Sequence, residues 1–491
     1  MAPETVRSPG TLELHLVSSM EPAAARQTVD SPFRILVLGD FSGRKSRGRL
    51  RDRSELRALQ PIPVDRDIIE ALPGRLGCAL SLDLGGDAAP LAVGFDELDD
   101  FHPDRLVDRL ELFGRLRRLR RELDDDRTCS SAAGELHGLL AGPPPDPSAP
   151  SVVSPDASST NLLDQVLEAT APVSPATASD PGLAAFVRSV AAPYLLRPDQ
   201  PRQAELTEAV DDLLTALMRA VLHHPAFQAL EAAWRGLDFL LARLATDDQL
   251  QVFLLDLTAE ELATDLLADD DLATCELHRL LVREAGELPG TEPWAVVAGC
   301  FPFSADKDVF ALLGRMAPLC ARAGAPFLAA AERNLPDHPD WAVLRRLPEA
   351  AWLGLARPGF LLRLPYGAAT EPIDRFAFEE TEGEPPLDAY LWGNPALACA
   401  CLLGQAFSNR GWQLTGGEVR DLEDLPLHVV PSKGATRTLP CTGELLTERE
   451  AERQLDQGLM VLLSFRDQDR IRLARCQSIA DPPARLAGRW R

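Results

Sequence analysis

Val252-Phe253-Leu254-Leu255-Asp256-Leu257 is an apolar run interrupted by one acid, and the helix-forming stretch Ala259 to Leu267 follows it closely. A short apolar run of this kind reads as a strand. The alternation continues downstream, with Trp294 to Gly299 as a strand, Asp306 to Ala323 as a helix and Pro326 to Ala331 as a strand. Strands alternating with helices predict an α/β fold with an at least partly parallel sheet, because a parallel pair needs a crossover and a helix supplies it.

Further toward the C-terminus come an apolar run at Phe360 to Leu364, a helix opening near Asn394-Pro395, and two closing strands near Leu459 to Phe465 and Arg470 to Ala474. Upstream of Val252, two amphipathic helices are expected over Ala204 to His223 and Ala226 to Leu244, with Pro225 between them. Near the N-terminus the strand-like runs are Thr11 to Val17 and Phe33 to Leu38, the second ending in Gly39-Asp40. From Asp104 to Leu123, Leu106, Leu110, Phe113, Leu116, Leu119 and Leu123 recur every three or four residues and predict one long helix.

Between these regions the chain loses periodicity. Gly142-Pro143-Pro144-Pro145-Asp146-Pro147 and the Ser- and Pro-rich sequence out to Thr160 read as a linker, set at 126–160. Coil scaling over about 35 residues gives a reach on the order of 30 to 35 Å, so the flanking domains are expected to be tethered but not fixed to one another. Within 161–181, Leu162, Leu163, Val166 and Leu167 fall on one face of a short helix that proline- and serine-rich sequence isolates on both sides. The resulting division is 1–125, 126–160, 161–181 and 182–491.

At 491 residues the chain is long enough for two or three domains, and its 45% hydrophobic and 25% charged content is that of a globular protein. No apolar run approaches the roughly 18 residues that span a bilayer. Met1-Ala2-Pro3-Glu4 lacks the basic-then-apolar layout of a secretory leader, so a cytoplasmic chain without membrane insertion is expected. Nine scattered cysteines without framework spacing are expected to be reduced. A net charge of −24 argues against nucleic acid as a partner, since most of the surface would repel it.

No constellation for catalysis, cofactor or metal stands out. Asp40 follows a buried strand, where α/β ligand sites sit, but no phosphate loop accompanies it, and a turn-forming role is the better reading. The run Arg44-Lys45-Ser46-Arg47-Gly48-Arg49-Leu50-Arg51-Asp52-Arg53 lacks interleaved aromatics, and the chain has 47 Arg against 3 Lys. It is therefore expected to be a solvated loop or protein-contact surface rather than a nucleic-acid patch. His223-His224 and Cys399-Ala400-Cys401 lack a second pair at zinc-site spacing.

Pro32 to Arg44, Pro61 to Asp67 and Leu98 to Asp104 resemble the small subunit of type VI secretion sheaths, the TssB family, over roughly residues 10 to 125. His224 to Leu237, Ala325-Pro326-Phe327, Arg357 to Gly367, Phe376 to Glu380 and Leu391 to Ala396 resemble the large subunit, the TssC family, in family order from about Asn161 nearly to the end. The chain is thus identified as a fusion of the two sheath subunits, with a C-terminally short large-subunit half that ends at Arg491.

That resemblance implies a structural, non-enzymatic subunit that polymerises into a contractile helical sheath. Its implied partners are further copies of itself, an inner-tube (Hcp-like) protein, baseplate components and a ClpV-like AAA+ unfoldase. Leu162, Leu163, Val166 and Leu167 are the candidate unfoldase-binding face. Asp40, Phe41, Glu231, Trp234, Arg235, Arg363, Pro365, Tyr366, Trp392 and Asn394 are carried over as structural motif residues. The helix from Asp104 and the Glu231-Trp234-Arg235 helix are candidates for the contact between the halves, with ordinary core packing as the alternative for either. The competing reading is a sheath-derived cap, adaptor or regulator that does not polymerise alone.

Overall fold

The chain's computed structural model describes residues 31–84, 90–141, 203–288, 291–383, 385–432 and 435–490. Thr11 to Val17 and the 161–181 segment, with Leu162, Leu163, Val166 and Leu167, lie outside the described residues. The strands in chain order are β1 (Phe33–Gly39), β2 (Ile62–Val64), β3 (Ala79–Leu82), β4 (Leu91–Gly94), β5 (Leu250–Asp256), β6 (Val296–Phe303), β7 (Phe327–Ala331) and β8 (Leu353–Arg357). They continue with β9 (Phe360–Leu361), β10 (Trp392–Gly393), β11 (Asp421–Leu422), β12 (Val429–Ser432), β13 (Ala435–Thr438), β14 (Met460–Ser464) and β15 (Ile471–Leu473). Among the longer helices are α1 (Pro103–Arg109), α2 (Glu111–Asp124), α3 (Cys129–Ala141), α4 (Gln203–Leu222), α5 (Pro225–Arg243), α6 (Ala259–Leu267), α7 (Lys307–Ala323) and α8 (Pro395–Arg410).

One mixed sheet runs β11-β15-β14-β8-β7-β6-β1-β5-β2. Its middle is parallel, as the strand-helix alternation predicts, and antiparallel pairs close both ends. The decisive feature is β1, which comes from the N-terminal half yet lies between β5 and β6 of the C-terminal half. Phe33 stands opposite Leu250 and Gly39 opposite Asp256 on one side, and Ile35 opposite Val296 on the other.

The expectation of halves tethered but not fixed to one another is therefore corrected. The physical reason is the composition of β1. Ile35 and Val37 enter the core under α4, α5 and α8, while Leu36 and Leu38 enter the core under α6 and α7, and all four are fully buried. A strand apolar on both faces is satisfied only at the centre of a covered sheet. Without it, β5 and β6 would each present an unpaired edge.

Two boundaries also differ from expectation. The helix expected from Asp104 to Leu123 breaks at Leu110, which takes φ −93 and ψ 111 and separates α1 from α2. Leu106, Leu110 and Phe113 are all buried in one core, so the apolar spacing runs through the break and hides it. The linker expected from 126 is displaced by α3, whose Ala132 and Leu136 are buried and whose Glu135 lies 3.0 Å from Arg115. Its small residues carry little amphipathic signal. Of the Phe360 to Leu364 run, only Phe360–Leu361 is strand, paired with β10.

Candidate functional site

Beyond the carboxyl end of β1, Asp40 shapes the loop: Oδ1 accepts the Arg44 N–H at 2.8 Å and Oδ2 the Lys45 N–H at 2.9 Å. Burial raises the Asp40 carboxyl above its ordinary value against the pull of these N–H groups. The turn carries Arg44 to the end of β5 and the start of α6. There its guanidinium contacts the Asp256 carboxylate, and its Nη2 lies 2.8 Å from Glu261 Oε2. Ser42 donates from its N–H and hydroxyl to Asp256 at 3.1 and 2.9 Å. Glu261 also accepts the Arg51 N–H at 2.8 Å and forms a reciprocal capping box with Thr258.

Arg44, expected to lie in a solvated loop or contact surface, is instead buried between two carboxylates of the other half. Composition hid this, because an arginine in an Arg-rich run gives no sign of its partner. Thr258 followed three residues later by Glu261 was a readable cap signal, although its second use as an arginine clamp was not. At the same strand end Trp234 Nε1 donates to the Phe41 carbonyl at 2.9 Å, and the two rings meet edge-on at 5.2 Å.

A second cluster forms on the same face of α5. Glu231, fully buried, accepts from Arg235 Nε at 2.7 Å and from Arg363 Nε at 2.8 Å. Arg363 Nη1 donates to Glu380 Oε2 at 2.8 Å, and Glu380 also accepts the Tyr366 N–H at 2.8 Å. Arg235 Nη2 donates to the Tyr366 hydroxyl at 2.9 Å. Burial disfavours the Arg363 charge, but Glu231 and Glu380 more than reverse this and raise its pKa well above the ordinary value. Burial likewise raises Glu380, and Arg363, His223 and the Tyr366 N–H together bring it below its ordinary value.

The N-terminal half reaches this cluster from outside. The His102 ring packs edge-on against Tyr366 at 5.0 Å. Asp104 accepts the Asp374 and Arg375 N–H groups at 3.1 and 3.0 Å, and Arg120 of α2 lies 2.6 Å from Asp211 of α4. Both candidate helices thus take part in the contact between the halves. Their packing is also ordinary core packing, so the two readings describe one surface.

Glu231, Trp234, Arg235, Arg363 and Tyr366 are brought together, with Pro365 buried beside Tyr366. Asp40 and Phe41 lie at the β1 end of the seam. Trp392 and Asn394 sit elsewhere: Asn394 caps α8 by accepting the Ala396 N–H at 2.9 Å, and Trp392 donates to the Leu387 carbonyl at 2.6 Å. They line a cleft of about 730 Å³ past the carboxyl ends of β6, β7 and β8. His224 caps α5 rather than pairing with His223, which faces Glu380. Cys399 and Cys401 are buried in α8, and burial pushes the Cys401 thiol up to about 12. Among the described residues no group of three His, Cys, Asp or Glu side chains is placed to hold a metal ion.

These features define a class: an α/β body made of two interlocked pieces, one threading its strand through the other's sheet, with a buried arginine-carboxylate cluster across the join and a second inside the larger piece. Residues 204–340 and 333–480 match the family described as EvpB/VC_A0108, tail sheath N-terminal domain. Residues 14–139 match the family described as Type VI secretion system, VipA, VC_A0107 or Hcp2. The chain belongs to the tail sheath family of type VI secretion. It is also 32% identical over 305 residues to the type VI secretion system sheath protein TssC1 of Pseudomonas aeruginosa. That match covers 56% of this chain and 60% of the relative's length.

Proposed function

We propose that this chain is a structural, non-enzymatic subunit of the type VI secretion contractile sheath, assembling into a cytoplasmic helical tube whose contraction propels an inner tube and effectors. The observation that carries the reading is β1, a strand from the small-subunit-like half seated between two strands of the large-subunit-like half. A contracting lattice needs rigid copies whose mutual packing changes while each copy keeps its shape. A subunit whose halves share a sheet and the buried Arg44 ion cluster meets that need, and fusion makes their pairing intramolecular.

The partners that follow are further copies in head-to-tail contact, which builds an open helix instead of a closed ring, an inner-tube (Hcp-like) protein, baseplate components and a ClpV-like unfoldase. Leu162, Leu163, Val166 and Leu167 are the proposed unfoldase-docking face; four such side chains are worth roughly 6 to 12 kcal/mol gross before ordering and association costs. The test is negative-stain microscopy of the purified chain at high concentration with the inner-tube protein. Tubes are expected. A chain that stays monomeric would sink the sheath reading and leave a sheath-derived adaptor or cap.

A further inference from the structure

The β11-β15 end of the sheet carries a pocket that the sheath reading does not use. It holds about 560 Å³ and lies between the Thr415 to Arg420 loop that leads into β11 and the Arg475 to Arg485 segment that follows β15. Arg420, Arg475 and Arg485 line it, and all three are exposed. None of them makes an ion pair among the described residues: Arg420 Nε donates to the Gly417 carbonyl at 2.6 Å, and Arg475 Nη1 to Gln477 Oε1 at 3.3 Å. Glu418 is the one carboxylate of the lining and is already engaged, with Oε2 3.1 Å from Arg410 Nε and Oε1 accepting the Thr415 hydroxyl at 2.9 Å. Asp421, next to Arg420 in sequence, is held by Arg472 at 2.7 and 2.8 Å. The lining thus sets three arginines against one glutamate that Arg410 offsets, on a chain whose net charge is −24.

Part of the lining is bare backbone. Gly416 and Gly417 take φ of +66 and +85, which other residues adopt only under strain, and they place no side chain between the backbone and a ligand. Their N–H groups donate to no acceptor among the described residues. Successive free N–H groups in a turn form a concavity that suits an anion. Gln477, buried, anchors Arg475: its Nε2 donates to the Leu455 and Leu459 carbonyls at 2.7 and 2.9 Å while its Oε1 accepts from the guanidinium. Burial pushes the Cys476 thiol up to about 12, so it adds no negative charge at neutral pH. Donors and charges are therefore in place before a ligand arrives, which lowers the entropy cost of binding.

We propose that this pocket binds a compact oxyanion bearing phosphoryl groups, either an inorganic polyphosphate or a phosphate ester. The charge count selects that class. A single aspartate or glutamate from another copy brings one negative charge, whereas a phosphoryl group brings about two at neutral pH together with three acceptor oxygens. Guanidinium forks match such oxygens in pairs. No aromatic residue is among the lining residues, so the phosphoryl group is what the pocket grips, not a base. The bound anion ties the Thr415 to Arg420 loop to the Arg475 to Arg485 segment and braces the β11-β15 edge.

The test is titration calorimetry of the full chain with inorganic pyrophosphate, glycerol 3-phosphate and citrate at matched ionic strength, in the parent and in Arg475→Gln, Arg485→Gln and Arg485→Lys. All variants should melt like the parent without ligand, because both side chains are exposed. One pyrophosphate should bind per chain, each Gln variant should weaken it by about tenfold, and Arg485→Lys, which keeps the charge and loses the fork, should weaken it less. Pyrophosphate binding tighter than glycerol 3-phosphate supports the inorganic source, and the reverse order supports an ester. Citrate bound as tightly as pyrophosphate, or pyrophosphate bound equally by every variant, would show a general effect of charge and overturn the site. Absence of binding at millimolar concentration overturns it too; assembly of the chain lost in the Gln variants would then make an acidic segment of another copy the occupant. The readout is binding by the single chain, so its failure leaves the sheath reading intact.

Discussion

The two buried clusters place an arginine between two carboxylates in the same way, but they join different things. Arg363 links Glu231 and Glu380, all from the C-terminal half, and the N-terminal half only packs against their edge through His102. Arg44 links the N-terminal half to Asp256 and Glu261, more than 200 residues away. The first cluster stabilises one piece, and the second locks two pieces together. They also differ in redundancy: Asp256 keeps Ser42 and Arg51, and Glu261 keeps the Arg51 and Thr258 N–H groups, if Arg44 is lost. Glu231 and Glu380 depend much more heavily on Arg363.

The largest effect is therefore expected from Arg363→Ala, which leaves two buried carboxylates sharing only Arg235, His223 and the Tyr366 N–H. Breaking a buried pair in this way costs about 3 to 5 kcal/mol, readable as a lower denaturation midpoint in urea. A fall under 1 kcal/mol would mean that water already screens the cluster. Arg44→Ala should cost less, about 1.5 to 3 kcal/mol for lost hydrogen bonds to charged groups. If Arg44→Ala proved the more damaging of the two, the join between the halves, not the inner cluster, would set the stability of the whole.

The smallest expected effect is with pH. Burial raises Glu380 and Glu261, and the arginines and N–H donors around them more than reverse that, so both lie below the ordinary carboxyl value of 4.5. A carboxyl depressed on folding contributes stability that is fully present above its unfolded value and is lost as pH falls through its folded value. The melting temperature should then fall as pH drops below about 4.5. Arg44→Ala should show a shallower acid limb, because Glu261 titrates closer to its unfolded value there. An identical acid limb in parent and variant would remove Arg44 as the cause of the Glu261 shift.

Much of the fold was legible in local pattern. The alternation from Val252 to Ala331 marked the parallel core, and Pro225 and Asn394-Pro395 marked helix starts. Asp40 was readable as a turn former from its residue type and place after Gly39. The residues missed were those whose partners are distant: Arg44 with Asp256 and Glu261, Glu380 with Arg363, and Asp104 with the Asp374 N–H.

By itself the sequence determined that β1 must be covered on both faces, that an α/β sheet follows β5, and that the segments between them are punctuated by caps and prolines. All of these are consequences of neighbours along the chain. Only the tertiary structure decided where β1 goes. Its apolar faces state a demand for two cores without naming the strands that border them. Insertion between β5 and β6 satisfies that demand and places Arg44 beside Asp256 and Glu261, where pairing offsets the cost of burying the charges.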